Sequence, residues 1–116
     1  MELLEFEIAL RVADINASLA FYTRLGFVEI GGNRAEQFVV LGNGTCRLAL
    51  YESQLPENML KIRGLDVSQI AVRLQAAGIA LEKAPFTASD GSTAAVLRDP
   101  DGNAVYLASD REGQHG

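Results

Sequence analysis

Hydrophobic and polar residues alternate along EFEIALRV, residues 5–12. Every second residue from Phe6 onward is apolar, so a strand here would turn one apolar face toward a core. In the next segment, INASLAFYTRL at residues 15–25, the apolar residues recur at helical spacing. Asp14 before it is a suitable N-cap, and Gly26 after it is a suitable C-terminal stop. The pattern predicts a strand followed by an amphipathic helix.

Short apolar segments after this helix predict three more strands and complete a β-α-β-β-β order. A turn separates the first from the second, and a hairpin loop joins the second to the third. The segments are FVEI (27–30), the turn GGNR (31–34), EQFVVL (36–41), the loop GNGT (42–45) and CRLALY (46–51). Cys46, in the last of these strands, is predicted to be a small buried residue.

The second half of the chain repeats this order. Asp14 and Gly26 recur 52 positions later as Asp66 and Gly78, and the residues between them again have helical spacing. Gln69 adds a capping-box residue to the second helix. The strands predicted around it are NMLKIRGL (58–65), IALE (79–82), STAAVLR (92–98) and, after the turn DPDG, NAVYLAS (103–109).

The repeat predicts a single α+β domain over residues 1–110. Its two tandem βαβββ modules would be residues 1–52 and 59–110, joined by a linker at 53–58. Neither copy is large enough to bury its apolar face alone, so we expect the copies to pack together and to share any cleft. The polar segment REGQHG, residues 111–116, is expected to be a disordered tail.

Composition and charge narrow the classes of partner. With 116 residues and 48% hydrophobic content, the chain can bury one core. Ten bases against fifteen acids give a net charge of −5 and no basic cluster, which argues against nucleic acid and mildly favours cations. No apolar run approaches the roughly 20 residues that span a bilayer, so we expect no membrane association. The single cysteine forms no internal disulfide, which suits a cytoplasmic protein.

Three segments together resemble the vicinal oxygen chelate superfamily of glyoxalases, bleomycin-resistance proteins and extradiol dioxygenases. They are LRVADINASLAFYTRLGF (10–27), DVSQIAVRLQAAGI (66–79) and DPDGNAVYL (99–107). The resemblance implies paired βαβββ modules that form cupped, partly open mixed β-sheets with the helices outside. It also implies a homodimer. In the enzymes of the superfamily, a divalent metal chelates adjacent oxygens of the substrate.

The chain departs from the superfamily's metal-binding pattern. The resemblance places histidine ligands at the positions of Glu7 and Met59 and a glutamate ligand at that of Tyr106. A thioether is a poor ligand for these ions, and the only histidine, His115, stands in the polar tail. Catalytic metal sites of this kind need about three protein ligands. We therefore expect no metal and no cofactor, as in the metal-free bleomycin-resistance-like branch.

Six residues are candidates for contact with a small-molecule ligand: Glu7, Arg11, Phe38, Tyr51, Met59 and Tyr106. Glu7 is interpreted as a solvated or cleft-lining carboxylate, with ligand contact or proton transfer as alternatives. Arg11 stands where the resemblance puts an arginine that contacts the substrate's carboxylate, while an ion pair with Glu7 is equally open. Tyr106 is interpreted as a cleft-lining ring. Individually Phe38, Tyr51, Met59 and Phe86 suit a core, and as a group they suit a pocket wall.

Two functions from different classes remain. The first is a protein that binds or sequesters an organic ligand, cationic by the charge argument, in a cleft without a catalytic metal. The second is a lyase, isomerase or dioxygenase-like enzyme. In that enzyme Glu7 would be the proton-transfer base or a non-standard metal ligand, and Arg11 or Tyr106 would stabilise an enolate.

Overall fold

The computed structural model describes residues 5–109. These form two compact units: the first unit is residues 7–59, and the second unit is residues 60–109 together with residues 5 and 6. The predicted disordered tail and His115 lie outside the described residues.

Strands and helices follow the same order in both halves of the chain. The first half contains β1 (Glu5–Arg11), α1 (Ile15–Arg24), β2 (Val28–Asn33), a 3-10 turn (Arg34–Glu36), β3 (Phe38–Asn43) and β4 (Cys46–Tyr51). The second half contains β5 (Met59–Arg63), α2 (Val67–Ala76), β6 (Lys83–Thr87), β7 (Thr93–Arg98) and β8 (Ala104–Ala108). The predicted α+β class and the duplicated βαβββ order are confirmed. Among the described residues, no helix has the length and apolar character needed to cross a membrane.

The two helices begin and end in the same way, as the repeat predicts. The Asp14 carboxylate accepts hydrogen bonds from the backbone N–H of Asn16 at 2.9 Å and of Ala17 at 3.3 Å. The Asp66 carboxylate accepts one from the Gln69 N–H at 3.1 Å. These bonds satisfy N–H groups that the first helical turn leaves without a partner. The glycines that follow the helices, Gly26 and Gly78, both have positive φ values.

In the first unit the strand order is β2-β3-β4-β1, with β1 parallel to β4 and the other pairs antiparallel. Helix α1 packs on one face of this sheet and closes an aliphatic core. Its buried members are Ile15, Val39, Leu41 and Leu50, with Leu10, Val12, Leu19, Tyr22, Phe27 and Leu48 packed against them. The apolar alternation that predicted β1 therefore marks the face toward α1.

In the second unit the strand order is β5-β8-β7-β6, and β7 is antiparallel to both of its neighbours. Helix α2 closes the equivalent core. Its buried members are Val67, Ala95 and Leu107, with Ile62, Leu65, Ile70, Leu74, Leu97 and Val105 packed against them.

Three local predictions were wrong. The predicted turn GGNR is largely strand, because Gly31 and Gly32 extend β2 and pair with Val40 and Val39. A Cβ at Gly32 would lie 2.5 Å from the Val39 Cα, so only glycine permits this close approach of the two backbones.

The predicted strand IALE is instead irregular backbone between the end of α2 at Ala76 and the start of β6 at Lys83. The Ile79 N–H donates to the Leu74 carbonyl at 2.9 Å, which uses the backbone of residue 79 to end the helix. The strand forms later, as β6, where an edge position tolerates Pro85. Cys46, predicted to be buried, is exposed because it opens β4 beside the hairpin loop, opposite Asn43.

Candidate functional site

The sheet of the first unit has a face that α1 does not cover. Residues Glu7, Ala9 and Arg11 alternate with the helix-facing residues of β1 and so point to this side. The pairing register continues the face across β4 and β3. We call this surface the first helix-free face; its members are Glu7, Ala9, Arg11, Phe38, Val40, Ala49 and Tyr51.

Three of the predicted ligand-contact residues lie in one row across this face. Arg11 pairs with Tyr51, and Tyr51 pairs with Phe38 on the next strand. The rings of Phe38 and Tyr51 stack with their centroids 5.3 Å apart and their planes 11° apart. Because both rings are only partly buried, the stacked pair is partly exposed on this face.

Glu7 lies on the same face and is only 6% exposed. Within residues 5–109, it has neither an ion pair nor a hydrogen-bond partner. Its carboxylate oxygens keep some contact with water, and a partly desolvated carboxylate without a partner is costly in its charged form. Glu7 is therefore the residue of the first helix-free face whose burial most requires an explanation beyond packing.

Arg11 is held by the predicted linker rather than by Glu7. Its Nη1 donates to the Pro56 carbonyl at 3.4 Å, and its backbone N–H donates to the Asn58 side chain at 2.8 Å. The described residues contain no ion pair between Arg11 and Glu7. The linker is thus an ordered segment that fixes the end of β1.

The linker also covers part of the first helix-free face. Leu55 is buried against Ala9 and Ala49, and Met59 and Tyr51 pack around this group. The small alanine side chains leave room for Leu55, which explains why a leucine in a loop is buried. Met59 therefore has a packing role in an apolar cluster.

The second unit also has a face opposite its helix. On β8, Tyr106 alternates with two residues that face α2, and its ring meets that of Phe86 edge to face at 6.5 Å. The Lys61 Nζ lies 5.0 Å from the centroid of the Tyr106 ring, within the range of a cation–π interaction. We call this surface the second helix-free face; its members are Lys61, Arg63, Phe86, Ala94, Val96, Tyr106 and Ala108.

Sequence reasoning missed the two cations of this face. Lys61 is 8% exposed and Arg63 is 9% exposed. Arg63 Nη1 donates to Asp90 Oδ2 at 3.4 Å, and Asp90 Oδ1 accepts from the Ser92 hydroxyl at 2.6 Å and from its N–H at 3.0 Å. The segment MLKIR already indicated their position, because Lys61 and Arg63 flank Ile62, which faces the helix, and so lie on the opposite face of the strand.

The residues do not fit a divalent metal site of the kind that the resemblance implies. The three matching positions carry the carboxylate of Glu7, the thioether of Met59 and the phenol of Tyr106. The part of the chain that the structure describes contains no group of three His, Cys, Asp or Glu side chains arranged to hold an ion. Such a site needs about three nitrogen, oxygen or thiolate ligands.

The turn before β8 is stabilised by hydrogen bonds between its own residues. Asp99 accepts hydrogen bonds from the Asn103 side chain at 2.9 Å, from the Asn103 N–H at 2.8 Å and from the Asp101 N–H at 3.0 Å. These bonds, the Asn103 side chain first among them, lower the pKa of Asp99 below its ordinary value. Gly102 has a φ of 88° and closes the turn. The interpretation of this segment as a turn is confirmed.

Comparison with known proteins agrees with the architecture. Residues 6–107 match the model of the Glyoxalase/Bleomycin resistance protein/Dioxygenase superfamily. The chain belongs to this superfamily. No curated protein sequence matches it.

Several solved structures show the same fold. A glyoxalase/bleomycin resistance protein/dioxygenase superfamily member from Vibrio splendidus 12B01 aligns with a TM-score of 0.76 and 22% identity, covering 93% of this chain and 99% of that chain. An NAD-dependent benzaldehyde dehydrogenase from Legionella pneumophila aligns with a TM-score of 0.74 and 18% identity, covering 90% and 97%. A hypothetical protein from Bacillus halodurans C-125 aligns with a TM-score of 0.74 and 17% identity, covering 95% and 96%. At these identities the likeness concerns the fold alone.

Proposed function

We propose that this protein binds a small organic cation on the first helix-free face without a catalytic metal. The observation that carries the proposal is the burial of Glu7 with no partner among the described residues. A ligand that brings a positive charge or hydrogen-bond donors would compensate the buried carboxylate. The stacked rings of Phe38 and Tyr51 on the same face would receive a flat apolar portion of that ligand.

A matched pair of probes tests this proposal. Tryptamine and its uncharged analogue tryptophol differ in the ammonium group and share the indole ring. We expect tryptamine to raise the Tm of the protein in a concentration-dependent manner and tryptophol to do so far less. Glu7→Gln should remove the difference between the two probes, whereas Glu5→Gln, an exposed neighbour on the same strand, should retain it. Equal shifts for both probes would contradict the proposal.

The second candidate function is proton transfer by Glu7 in a lyase or isomerase. Its specific support is again the burial of this carboxylate, because bases in such enzymes work in surroundings shielded from water. Diketone thioesters and acyl-CoA thioesters are suitable substrates for a screen. If Glu7→Gln abolished turnover of one of these thioesters but left its Kd unchanged, the protein would be an enzyme and not a sequestering protein.

We also propose a cytoplasmic homodimer. Support for the dimer comes from large apolar side chains that are exposed on α1, at its C-cap and on β2: Phe21, Leu25, Val28 and Ile30. Support for the reducing compartment comes from the single cysteine in the sequence. Light scattering coupled to size-exclusion chromatography should give twice the mass of one chain, and Val28→Lys should halve it.

A further inference from the structure

Arg63 has a hydrogen-bond donor that no acceptor uses. The residue is 9% exposed, its Nη1 contacts Asp90, and its Nε is buried without a partner in the described chain. A buried donor on a charged group destabilises the protein when it loses its hydrogen bond to water and gains no other acceptor. An acceptor from outside the described chain would therefore stabilise this arrangement.

The surroundings of Arg63 suit a negatively charged group. Lys61 lies on the same face two residues earlier and is also buried. Asp90 engages only the Nη1 side of the guanidinium, at 3.4 Å, and its own oxygens also accept from Ser92. The edge that carries Nε is therefore the one to which two oxygens of an incoming group can bind side by side.

We propose that the second helix-free face binds an oxyanion, the carboxylate or phosphate group of a ligand, through the Nε edge of Arg63 with Lys61 beside it. Asp90 contacts the guanidinium at Nη1, so an oxyanion at the Nε edge would not have to displace it. The inference goes beyond the proposed function, because it concerns the other unit. Binding of a cation near Glu7 neither requires nor excludes it.

Nuclear magnetic resonance of the arginine side chains tests the inference on the intact chain. The Nε–H signals are followed while sodium phosphate and, separately, sodium succinate are added, with sodium chloride keeping the ionic strength constant. We expect the Arg63 signal, assigned by its loss in Arg63→Lys, to move to saturation. Movement with phosphate alone identifies a phosphate site, and movement with succinate alone identifies a carboxylate site. Movement no larger than that of Arg73, an exposed residue of α2, would overturn the inference.

Variants give a second measurement. Arg63→Met should weaken binding of the effective anion by about tenfold or more, since it removes charged hydrogen bonds. Arg63→Lys, which keeps the charge but not the planar edge, should fall between Arg63→Met and the wild type. Arg73→Met should leave the Kd unchanged. Wild-type affinity in a folded Arg63→Met protein would also overturn the inference; should that variant not fold, the wild-type titration decides alone.

Discussion

The two units share one order of strands and helix, yet the charged side chains that are buried on their helix-free faces have opposite signs. The first buries Glu7 and leaves Arg11 exposed, and the second buries Lys61 and Arg63, with the Lys61 Nζ over the ring of Tyr106. The faces toward the helices are both aliphatic.

The difference shows which positions determine the fold and which are available for chemistry. Side chains that face a helix must fill a close-packed core, so both units keep aliphatic residues there. The opposite faces combine buried alanines with charged and aromatic side chains, and there the two copies have diverged. Substitutions on the two kinds of face should therefore differ in their effects on stability.

Truncation of either helix-facing core should destabilise the protein by a similar amount. Leu50→Ala in the first unit should lower the free energy of unfolding by about 3 kcal/mol, because Leu50 is fully buried. Leu107→Ala, in the second core, is the matched change and should cost nearly as much. Urea unfolding measures both. A loss below about 1 kcal/mol in one of them would show that the two cores are not equivalent.

Removal of the counter-charge of Arg63 should affect only the second helix-free face. Asp90→Asn leaves a buried guanidinium without its carboxylate, and we expect a loss of about 1 to 2 kcal/mol, reduced because the Asp90 side chain is 31% exposed. Glu29→Gln is the control in the first unit. It breaks an ion pair whose side chains are 50% and 43% exposed and should cost less than about 0.5 kcal/mol. Equal losses in urea unfolding would argue against a special role for the buried cation.

The aromatic contacts of the two faces should differ in strength. Phe38→Leu removes the stacked partner of Tyr51 and should destabilise the protein by about 1 kcal/mol beyond the loss of buried area. Phe86→Leu removes an edge contact at the longer centroid distance of 6.5 Å and should cost less. The reverse ranking in urea unfolding would mean that the stack in the first unit contributes little to the fold.

The smallest effect concerns the turns that join the last two strands of each half. The pKa of Asp99 is lower in the folded chain than its ordinary value, so its charged form stabilises the folded state at neutral pH. That contribution is present above the unfolded-state pKa and is lost as the pH falls below about 4 and through the folded-state pKa.

Urea unfolding between pH 7 and pH 2 measures this contribution. The stability difference between the wild type and Asp99→Asn should be constant at neutral pH and should shrink in acid. Asn43→Ala, at the corresponding hairpin of the first half, is the comparison; it adds no titratable group, and its difference from the wild type should not change between pH 7 and pH 2. A difference between the wild type and Asp99→Asn that does not change with pH would contradict the role of the charge.

Most of the fold could be predicted because sequence patterns over a few residues indicate its strands and helices. Alternation in residues 5–12, helical spacing after Asp14 and the recurrence of Asp14 and Gly26 as Asp66 and Gly78 are each read over a few residues. The residues on the first helix-free face could be placed for the same reason, since a period of two determines which side chains share a face.

Tertiary structure decided the features that depend on contacts between distant residues. The extension of β2 through Gly31 and Gly32 follows from the close approach of β3, and the burial of Leu55 follows from the space above Ala9 and Ala49. The unused donor of Arg63 is likewise visible only once Asp90, 27 residues away, is seen to engage one end of the guanidinium and not the other. Sequence determined which residues share a face, because that depends on backbone periodicity. Packing determined which of them are buried and which lack partners, because that depends on the whole unit.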